Sequence, residues 1–451
     1  MNLEVVILAA GKGTRMCSNI PKVLHKVGNK ELLNHMIEKA ENLFADKIHI
    51  VYGYKGELIK ETIKGDYDWC YQEQQLGTAD AVKVALPNCS KNSKILILVS
   101  DIPLIEEQTL KDLIYSFDNK GVGVLTSKVS NPFGLGRIIR NENNEIVSIV
   151  EEKDCTDEQK RITEINTGVI VSDYESLSLL LSKVENNNSQ KEYYLTDIIK
   201  LANEYNINVY SSEALNFKEC EGINNNYQLA VAERLYQEKI AKTYMMNGLT
   251  LLDYTRFDVR GSLEFGKDCV IDVNVVINGN VKLGDNVYIG PGSVLTDCEI
   301  QSGSVISPYT VIESSKVGEN NTIGPFARLR PGCEFAEKVH VGNFVEVKKS
   351  QLNVGVKAGH LSYLGDSVIG KNVNIGAGTI TCNYDGKNKH KTVICDDVFV
   401  GSDTQLVAPV TVNKGVTIGA GTTVTKDVPE GSLIITRVKP KIIENWKKYK
   451  D

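Results

Sequence analysis

A short segment near the start of the chain combines small residues with cations in an order suited to holding phosphates. It reads Leu8-Ala9-Ala10-Gly11-Lys12-Gly13-Thr14-Arg15, and Pro21-Lys22 follows shortly after. Glycines at the end of a strand let backbone N–H groups close on a phosphate, while Arg15 and Lys22 supply positive charge. A bare Gly-x-Gly is often an ordinary tight turn, but its combination with Thr-Arg and Pro-Lys is far more specific. The segment therefore predicts a cradle for a triphosphate.

The elements around this segment predict a parallel α/β sheet. Short apolar runs lie at 5–8, 48–51, 95–99 and 121–125, and they are separated by stretches with helical spacing such as 30–43. This alternation is typical of a Rossmann-like, mostly parallel sheet that is covered on both faces and binds ligands beyond the carboxyl ends of its strands. From Asn226 to about Met246, apolar residues recur every three to four positions, which predicts one connecting helix with Asn225 or Asn226 as its N-cap.

The second half of the chain repeats every six residues. Aliphatic side chains recur at Ile277, Leu283, Ile289 and Leu295, and the same period returns from Val317 and from Val400. An inward aliphatic followed by a small corner residue is typical of a hexapeptide parallel β-helix, here of roughly eight coils between about 270 and 425. A β-sandwich is the weaker alternative, because nothing in that fold would maintain a six-residue period over this length. The period breaks at 382–391, which predicts an extruded loop.

Composition restricts the function classes. Charged residues sum to a net −6, so the basic excess that nucleic-acid binding requires is absent. No apolar run reaches the roughly 18 to 20 residues that span a bilayer, which argues against membrane insertion. The ten cysteines are scattered without Cys-x-x-Cys spacing, as expected for reduced thiols in the cytoplasm.

Three segments together resemble the sugar-phosphate nucleotidyltransferases. The cradle is the first, and Gln74-Gln75-Leu76-Gly77-Thr78-Ala79 is similar to the loop that reads the nucleotide base in that family. Asp101, just after the run 95–99, stands where the family holds Mg²⁺. A carboxylate there suits this hard cation, which prefers oxygen ligands, although Asp101 alone could as easily begin a turn before Pro103.

Over essentially its whole length the chain resembles one branch of that family, the bacterial bifunctional uridyltransferase/acetyltransferases. The supporting motifs lie at 131–138, 149–154, 164–168, 221–225, 324–332, 343–349 and 357–366. The resemblance implies a nucleotidyltransferase domain at 1–225, a connecting helix at 226–248, and a left-handed hexapeptide β-helix with a basic tail at 249–451. Departures are modest: Val99-Ser100 replaces the family's common Tyr-Gly, and Asp80 stands where many relatives have His.

The resemblance also assigns site residues in the first domain. The nucleotide and sugar contacts fall on Leu8, Ala9, Ala10, Gly11, Lys22, Gln72, Gly77, Thr78, Gly136, Glu151, Asn166 and Asn224. Asp101 and Asn224 would hold Mg²⁺, and Arg15 and Lys22 would assist catalysis. The implied reaction joins UTP to N-acetylglucosamine-1-phosphate and releases pyrophosphate.

In the β-helix the resemblance implies acetyl transfer from acetyl-CoA to glucosamine-1-phosphate. An amine must lose a proton before it attacks a thioester, and an imidazole is suited to that task, so His360 is the candidate base. Arg330, Lys348, Tyr363 and Asn374 would bind the acceptor sugar phosphate, while Ala377, Asn383, Tyr384, Ser402, Ala420 and Arg437 would bind acetyl-CoA. A weaker hypothesis is that the tail lysines Lys439, Lys441, Lys447, Lys448 and Lys450 attract the CoA phosphates.

The combined product would be UDP-N-acetylglucosamine, a cell-wall precursor, made by a homotrimer with acetyl-transfer sites between subunits. One alternative is a monofunctional sugar-phosphate nucleotidyltransferase whose β-helix serves as an assembly or regulatory scaffold. A catalytically silent binding protein ranks last, because Arg15, Lys22 and Asp101 are all present.

Overall fold

The computed structural model describes residues 2–444 and residue 446. The chain forms two compact units that divide between Tyr236 and Gln237. This division falls inside the long helix Asn226–Met246, so the helix belongs partly to each unit. The sequence-based boundaries at 225/226 and 248/249 stay a prediction. Within the described residues, no helix combines the length and apolar character needed to cross a membrane.

The first unit is an α/β fold built on one mostly parallel sheet. Its strands are β1 Asn2–Leu8, β2 Lys26–Val27, β3 Lys30–Glu31, β4 Lys47–Tyr52, β5 Asp68–Tyr71, β6 Ser93–Val99, β7 Val122–Lys128, β8 Arg137–Arg140, β9 Ile146–Val150, β10 Glu164–Asp173 and β11 Val209–Ala214. Its helices are α1 Leu32–Asn42, α2 Gly56–Thr62, α3 Thr78–Ala85, α4 Glu107–Ser116, α5 Tyr174–Lys183, α6 Asp197–Glu204 and the start of α7 Asn226–Met246.

The main sheet has the order β11-β7-β10-β6-β1-β4-β5. Strands β6, β1, β4 and β5 run parallel, as the apolar runs predict, and β11 is parallel to β7. Strand β10 lies antiparallel between β6 and β7, and the β8–β9 hairpin joins it near its start. The first residues of β10 therefore lie at the edge of the sheet where β1 and β6 end.

Apolar side chains cover both faces of this sheet. Val5 and Ile7 of β1 belong to one buried cluster with α1 and α4, while Val6 belongs to another with α3, α5 and α6. Neighbouring strand residues point to opposite faces, so a run that is apolar throughout must be buried on both. The Asn225 side chain accepts the backbone N–H of Gln228 at 2.9 Å, which confirms Asn225 as the cap of α7.

The second unit is an all-parallel β-solenoid, consistent with a left-handed β-helix, so the predicted fold class is confirmed. One face is formed by Thr250–Leu251, Val270–Ile271, Tyr288–Ile289, Val305–Ile306, Thr322–Ile323, His340–Asn343, Lys357–His360, Asn374–Ile375, Phe399–Val400, Thr417–Ile418 and Leu433–Ile434. The long strands Phe257–Phe265 and Val275–Leu283 pass along both remaining faces of the first coils.

Later coils divide those two remaining faces between separate short strands. They are Val294–Thr296, Val311–Glu313, Arg328–Leu329, Glu346–Lys348, Tyr363–Gly365, Ile380–Cys382, Gln405–Val407 and Thr423–Val424 on one face, and Glu299–Ile300, Lys316–Val317, Glu334–Phe335, Gln351–Leu352, Ser367–Ile369, Thr392–Ile394 and Val410–Val412 on the other. Each strand pairs in parallel with its counterpart on the next coil.

The six-residue period corresponds to the inside of the solenoid. The aliphatic side chains of the period are no more than a few per cent exposed. The fully buried ones include Ile277, Ile289, Leu295, Ile323 and Leu406. Burial of this continuous column removes apolar surface from water at every coil and so stabilises the stack. The repeat is therefore confirmed as the core of the fold.

The predicted loop is an insertion in one coil. Phe399 follows Asn374 by 25 positions on the same face, whereas Asn374 follows Lys357 by 17. The extra residues form a small hairpin in which Tyr384 bridges Lys389 and the N–H of His390 donates to the carbonyl of Asn383 at 2.8 Å. The side chains of His390 and Asp385 pair at 2.7 Å across the hairpin.

Candidate active sites

The first candidate site is a cleft where β1 and β6 end. The N–H of Ser100 donates to the carbonyl of Leu8 at 3.2 Å, which holds the two strand ends together. The cleft measures about 330 Å³. Its lining includes Leu8, Ala10, Gly11, Lys22, Gln72, Gly77, Thr78 and Asp101 from the predicted set, and also Val23, Gln75, Ala81, Val99, Ser100 and Glu192. Ala9 is buried beside it, and its N–H bonds to Val51 at 2.8 Å.

Four predicted side chains form one hydrogen-bonded group beside the cleft. The Lys22 ammonium donates to Asp101 Oδ2 at 2.5 Å and to Asn224 Oδ1 at 2.8 Å. The Arg15 guanidinium donates to the same Asn224 oxygen at 2.9 Å. Asn224 is 202 positions from Lys22 in the chain, so only the fold brings the two together. The backbone supports this contact, because the N–H of Ile223 donates to the carbonyl of Asp101 at 2.9 Å.

This group fits a hard divalent cation. The oxygens of Asp101 and Asn224 converge on one positive charge, the Lys22 ammonium, and both are ligand types that Mg²⁺ accepts. Mg²⁺ commonly takes only one or two protein ligands and completes its shell with phosphate and water oxygens. Two convergent oxygens at the edge of the cleft are therefore sufficient.

The loop before α3 is held in a conformation that requires glycine. Gly77 has φ +130°, and a Cβ added there would lie 2.4 Å from the carbonyl oxygen of Tyr193. The buried Gln72 side chain donates to the carbonyl of Gly77 at 3.3 Å and to Asp80 at 2.7 Å. Asp80 thus holds the Gln72 side chain in place. The sequence showed only that Asp80 stands where many relatives have His, and it did not predict this contact. The Thr78 hydroxyl accepts the N–H of Leu195 at 2.9 Å.

The predicted sugar contacts form a neighbouring group. The N–H of Asn166 donates to the carbonyl of Gly136 at 2.9 Å, and a Cβ added at Gly136 would lie 3.4 Å from the Glu151 carboxylate. Burial raises the pKa of Glu151, the carboxylates of Asp197 and Asp154 raise it further, and a hydrogen bond from Thr196 opposes them. A carboxyl group at this position is suited to hydrogen-bond a hydroxyl-rich ligand.

The sugar group lies at the same edge of the sheet as the cleft. A Cβ added at Gly168, two residues beyond Asn166, would lie 3.3 Å from Val99 at the end of β6. Thr196 donates to Glu151 at 3.1 Å, and its neighbour Leu195 bonds to Thr78. The loop before α3, the group formed by Gly136, Glu151 and Asn166, and the strand ends beside the cleft are thus joined through one continuous set of contacts.

A buried cation supports the sugar group from behind. Arg137 is 1% exposed, and its guanidinium donates to Glu152 at 2.6 Å. Glu152 also accepts the N–H of Gly134 at 3.0 Å, so the carboxylate anchors the turn before β8. This anchor fixes the backbone at Gly136, directly before β8 begins.

The second candidate site lies along a corner of the β-solenoid. Leu361 N–H donates to Asn343 at 3.1 Å, Gly378 N–H to Leu361 at 3.0 Å, Asp403 N–H to Ala377 at 2.7 Å, and Gly421 N–H to Ser402 at 2.8 Å. These bonds stack the predicted residues His360, Ala377, Ser402 and Ala420 on consecutive coils. Small side chains at the upper three positions leave the backbone accessible to an extended ligand.

His360 has one defined side-chain partner in the described contacts. Its Nδ1 lies 3.1 Å from Asn343 Oδ1 on the preceding coil. An amide oxygen can only accept, so Nδ1 carries the proton and Nε2 is free to act as a base. His360 itself is exposed at the corner. Asn343 was not among the predicted site residues, although it stands in the quoted motif 343–349.

Three of the four predicted acceptor residues, Arg330, Lys348 and Tyr363, gather on the face that follows this corner. Arg330 donates to Glu346 at 3.0 Å, and a Cβ added at Gly365 would meet both the Tyr363 hydroxyl and the Asn383 amide. A hydrogen bond with Lys389 lowers the pKa of Lys348, and loss of hydration together with the charges of Lys389 and Arg330 lowers it further. The charge of Asp366 opposes this shift. Positive charge from Arg330, Lys348 and Lys389 on one face suits a phosphate dianion.

Lys389 and Asp366 are site residues that sequence reasoning missed. Lys389 comes from the inserted hairpin, and Asp366 accepts the Asn383 amide at 2.5 Å. The only signal for Lys389 was its position in the polar loop, which does not show where the loop folds back. Among the remaining predicted residues, Tyr384 lies on this hairpin and donates to the carbonyl of Gly386 at 2.6 Å.

Asn374 and the chain end do not lie with the other predicted acceptor and acetyl-CoA residues. Asn374 belongs to the face before the corner, paired with Lys357 and Phe399. Arg437 is exposed after the last strand. The tail residues Lys447, Lys448 and Lys450 lie outside the described residues, so the structure does not address their predicted role.

The comparisons with known proteins agree with these two folds. Residues 5–149 match the family profile of the MobA-like NTP transferase domain. The first unit is a nucleotidyltransferase domain. Residues 259–352 match the GMPPB C-terminal domain, and residues 391–426 match six bacterial transferase hexapeptide repeats, which are typical of acyltransferases.

One solved structure is similar to about half of the chain. It is described as a glucose-1-phosphate thymidylyltransferase from Bacillus anthracis and has 19% sequence identity and a TM-score of 0.41. The match covers 52% of this chain and 94% of that one.

Proposed function

We propose that the chain is a bifunctional N-acetylglucosamine-1-phosphate uridyltransferase and glucosamine-1-phosphate acetyltransferase that makes UDP-N-acetylglucosamine. The observation that carries the bifunctional proposal is in the β-helix. A histidine with a free Nε2 stands on a corner column of small residues, and Arg330, Lys348 and the nearby Lys389 place cations on the face that follows this corner. A scaffold would need neither the base nor the cations.

In the acetyl-transfer step, the three cations bind the phosphate of glucosamine-1-phosphate and orient its amine toward His360. The Nε2 atom removes a proton from the ammonium, and the amine attacks the thioester carbon. As the tetrahedral intermediate collapses, the nitrogen loses its second proton to the departing CoA thiolate, which leaves as the free thiol. The column Ala377, Ser402 and Ala420 lets the pantetheine arm lie against the backbone. The Asn343 oxygen keeps the imidazole in the tautomer that this step needs.

In the uridylyl-transfer step, a phosphate oxygen of N-acetylglucosamine-1-phosphate attacks the α-phosphorus of UTP, and pyrophosphate leaves from the opposite side. Lys22 and Arg15 place two positive charges beside the cleft, where they neutralise the triphosphate. Gly136, Glu151 and Asn166 orient the sugar. Asp101 and Asn224 would hold Mg²⁺, which supplies further neutralisation of phosphate charge when bound.

We also propose that the β-helix associates as a homotrimer. A stack of exposed side chains lies on the corner below His360, with Tyr309, Phe326 and Phe344 each about half exposed and Leu361 62% exposed. The rings stack at 5.2 and 5.5 Å between centroids. A continuous apolar column of this kind supports contact with another subunit.

The deciding experiment omits UTP. Purified protein is mixed with glucosamine-1-phosphate and acetyl-CoA, and release of the free CoA thiol is followed. Release that depends on the amino sugar is the expected result. If no thiol is released while pyrophosphate still forms from UTP and N-acetylglucosamine-1-phosphate, the β-helix is a scaffold and the monofunctional alternative holds.

Two variants serve as controls for each other. Asp101→Ala is expected to abolish uridylyl transfer and leave acetyl transfer nearly intact, because its carboxylate belongs to the first unit. His360→Ala is expected to reduce acetyl transfer by ~10² to 10⁴-fold, the usual effect of a general base, and to spare uridylyl transfer. A smaller loss would exclude His360 as the base, and equal loss of both activities in either variant would contradict separate sites.

A further inference from the structure

A buried cluster of metal-ligand side chains lies at the far end of the main sheet from the cleft. Glu4 is near the start of β1, His49 lies on β4, and Cys89 follows α3. All three are buried, with exposures of 1%, 0% and 6%. None of them takes part in the proposed reactions, since β1 reaches the cleft only at its other end, Leu8.

The three ligand atoms converge on one point. Glu4 Oε2 lies 2.9 Å from His49 Nε2, and the two atoms and Cys89 Sγ all lie within 4.8 Å of one another. Burial raises the pKa of the Cys89 thiol to about 12, so the sulfur is a neutral thiol when nothing binds it. Among the described residues, the other cluster of this kind is His49, Asp68 and Cys70, which shares the same imidazole.

Asp68 completes an arrangement that is characteristic of metal-bound histidines. The other ring nitrogen of His49, Nδ1, pairs with Asp68 Oδ2 at 2.7 Å. A histidine that binds a metal usually donates its second N–H to a carboxylate, which fixes the tautomer and makes the free nitrogen a better ligand. The Glu4 carboxylate is held in turn by the N–H of Ser90, at 3.2 and 3.3 Å.

We propose that Glu4, His49 and Cys89 bind one Zn²⁺ ion, with Asp68 as the carboxylate that orients His49. One nitrogen, one sulfur and one carboxylate oxygen are the ligand types of Zn²⁺ sites. A carboxylate, a thiolate and a neutral imidazole balance the charge of the ion, so the buried complex is neutral. The thiol proton passes to solvent when the ion binds.

The ion would connect three segments that are distant in the chain: strand β1, strand β4 and the turn after α3. Such a site stabilises the folded state because the unfolded chain does not present the ligands together. The competing explanation is a metal-free network in which a protonated His49 lies between the two carboxylates. The two explanations differ in whether a thiolate bond to a metal can form.

The test uses the full-length protein, stripped of metal and titrated with Co²⁺, which replaces Zn²⁺ with similar geometry. A thiolate-to-cobalt charge-transfer band that saturates at one equivalent is the expected result, and added Zn²⁺ should remove it. Binding of Co²⁺ at the oxygen ligands Asp101 and Asn224 would give no such band. Zn²⁺ should also raise the melting temperature of the metal-free protein.

The variants assign the band to its sulfur. It should disappear in Cys89→Ala and in His49→Ala, and it should persist in Cys220→Ala, which removes another buried thiol of the same unit. X-ray absorption of the unmodified protein with one equivalent of Zn²⁺ should show one sulfur ligand, a result that does not depend on a variant folding. Absence of the band, its persistence in Cys89→Ala, or a zinc shell without sulfur would refute the site.

Discussion

Replacement of Asn343 by Ala tests whether the His360 imidazole is held in one tautomer. The Asn343 oxygen lies 3.1 Å from His360 Nδ1 and is the side-chain partner that the structure gives this ring. Without it, the proton can move to Nε2, and the ring can rotate about its side-chain bonds. Either change lowers the fraction of enzyme in which Nε2 faces the amine as an unprotonated base.

The magnitude follows from the kind of hydrogen bond that is removed. A hydrogen bond of this type contributes about 0.5–1.5 kcal/mol, and His360 is exposed, so water can partly replace it. The lower part of that range corresponds to about a 2- to 5-fold loss of kcat. Asn343 is a positioning residue, so the KM values for both substrates should stay close to those of the unmodified enzyme.

The assay is CoA release at saturating substrates across a range of pH. Asn343→Asp supplies the matched control, because a carboxylate still accepts from Nδ1 and also stabilises the protonated ring. It should retain most of kcat while the acidic limb of its pH profile moves to higher pH. An unchanged kcat in Asn343→Ala, or a loss as large as that of His360→Ala, would show that the contact does not act through tautomer and orientation.

Three further predictions concern other parts of the chain. Lys389→Ala should raise the KM for glucosamine-1-phosphate about 3- to 10-fold through loss of one charged contact, and Lys387→Ala on the same hairpin should not. Gly77→Ala places a Cβ 2.4 Å from the Tyr193 carbonyl oxygen. It should therefore lower the free energy of unfolding by about 1–3 kcal/mol, measured by urea unfolding followed by Trp69 fluorescence, and raise the KM for UTP. Unchanged stability would contradict the close approach. Burial lowers the pKa of His35 to about 4 from 6.5. The buried neutral ring therefore gives its full stabilisation above pH 6.5, and about 3 kcal/mol of the free energy of unfolding is lost as the pH falls toward 4. In His35→Gln, the free energy of unfolding should depend less on pH over this range.

The fold class could be predicted because both units follow short-range patterns. Apolar runs such as 95–99 predict strands buried on two faces, and the six-residue aliphatic period predicts a solenoid without knowledge of any contact. The antiparallel placement of β10 and the β8–β9 hairpin had no such signal. The position and direction of these strands depend on which neighbours they pair with, and that pairing exists only in the assembled sheet.

The candidate sites could be predicted only where the residues stand in compact motifs. The cradle, the Gly77 loop and the His360 segment each show their chemistry within a few consecutive residues. Asn343, Asp366 and Lys389 were missed because each acts through a contact with a neighbouring coil or a folded hairpin. Asp80 was seen as a departure, but its bond to Gln72 was not.

The sequence by itself determined which chemical groups are present and in which local order: a phosphate cradle after a buried strand, and a histidine at a repeat corner. Only the tertiary structure decided which of them act together. Lys22 meets Asn224 across 202 positions, and Glu4, His49 and Cys89 converge from three segments. The physical reason is that hydrogen bonds and ligand bonds act over about 3 Å. Periodicity in the chain shows which face a residue occupies, but the packing of that face against another element sets such distances.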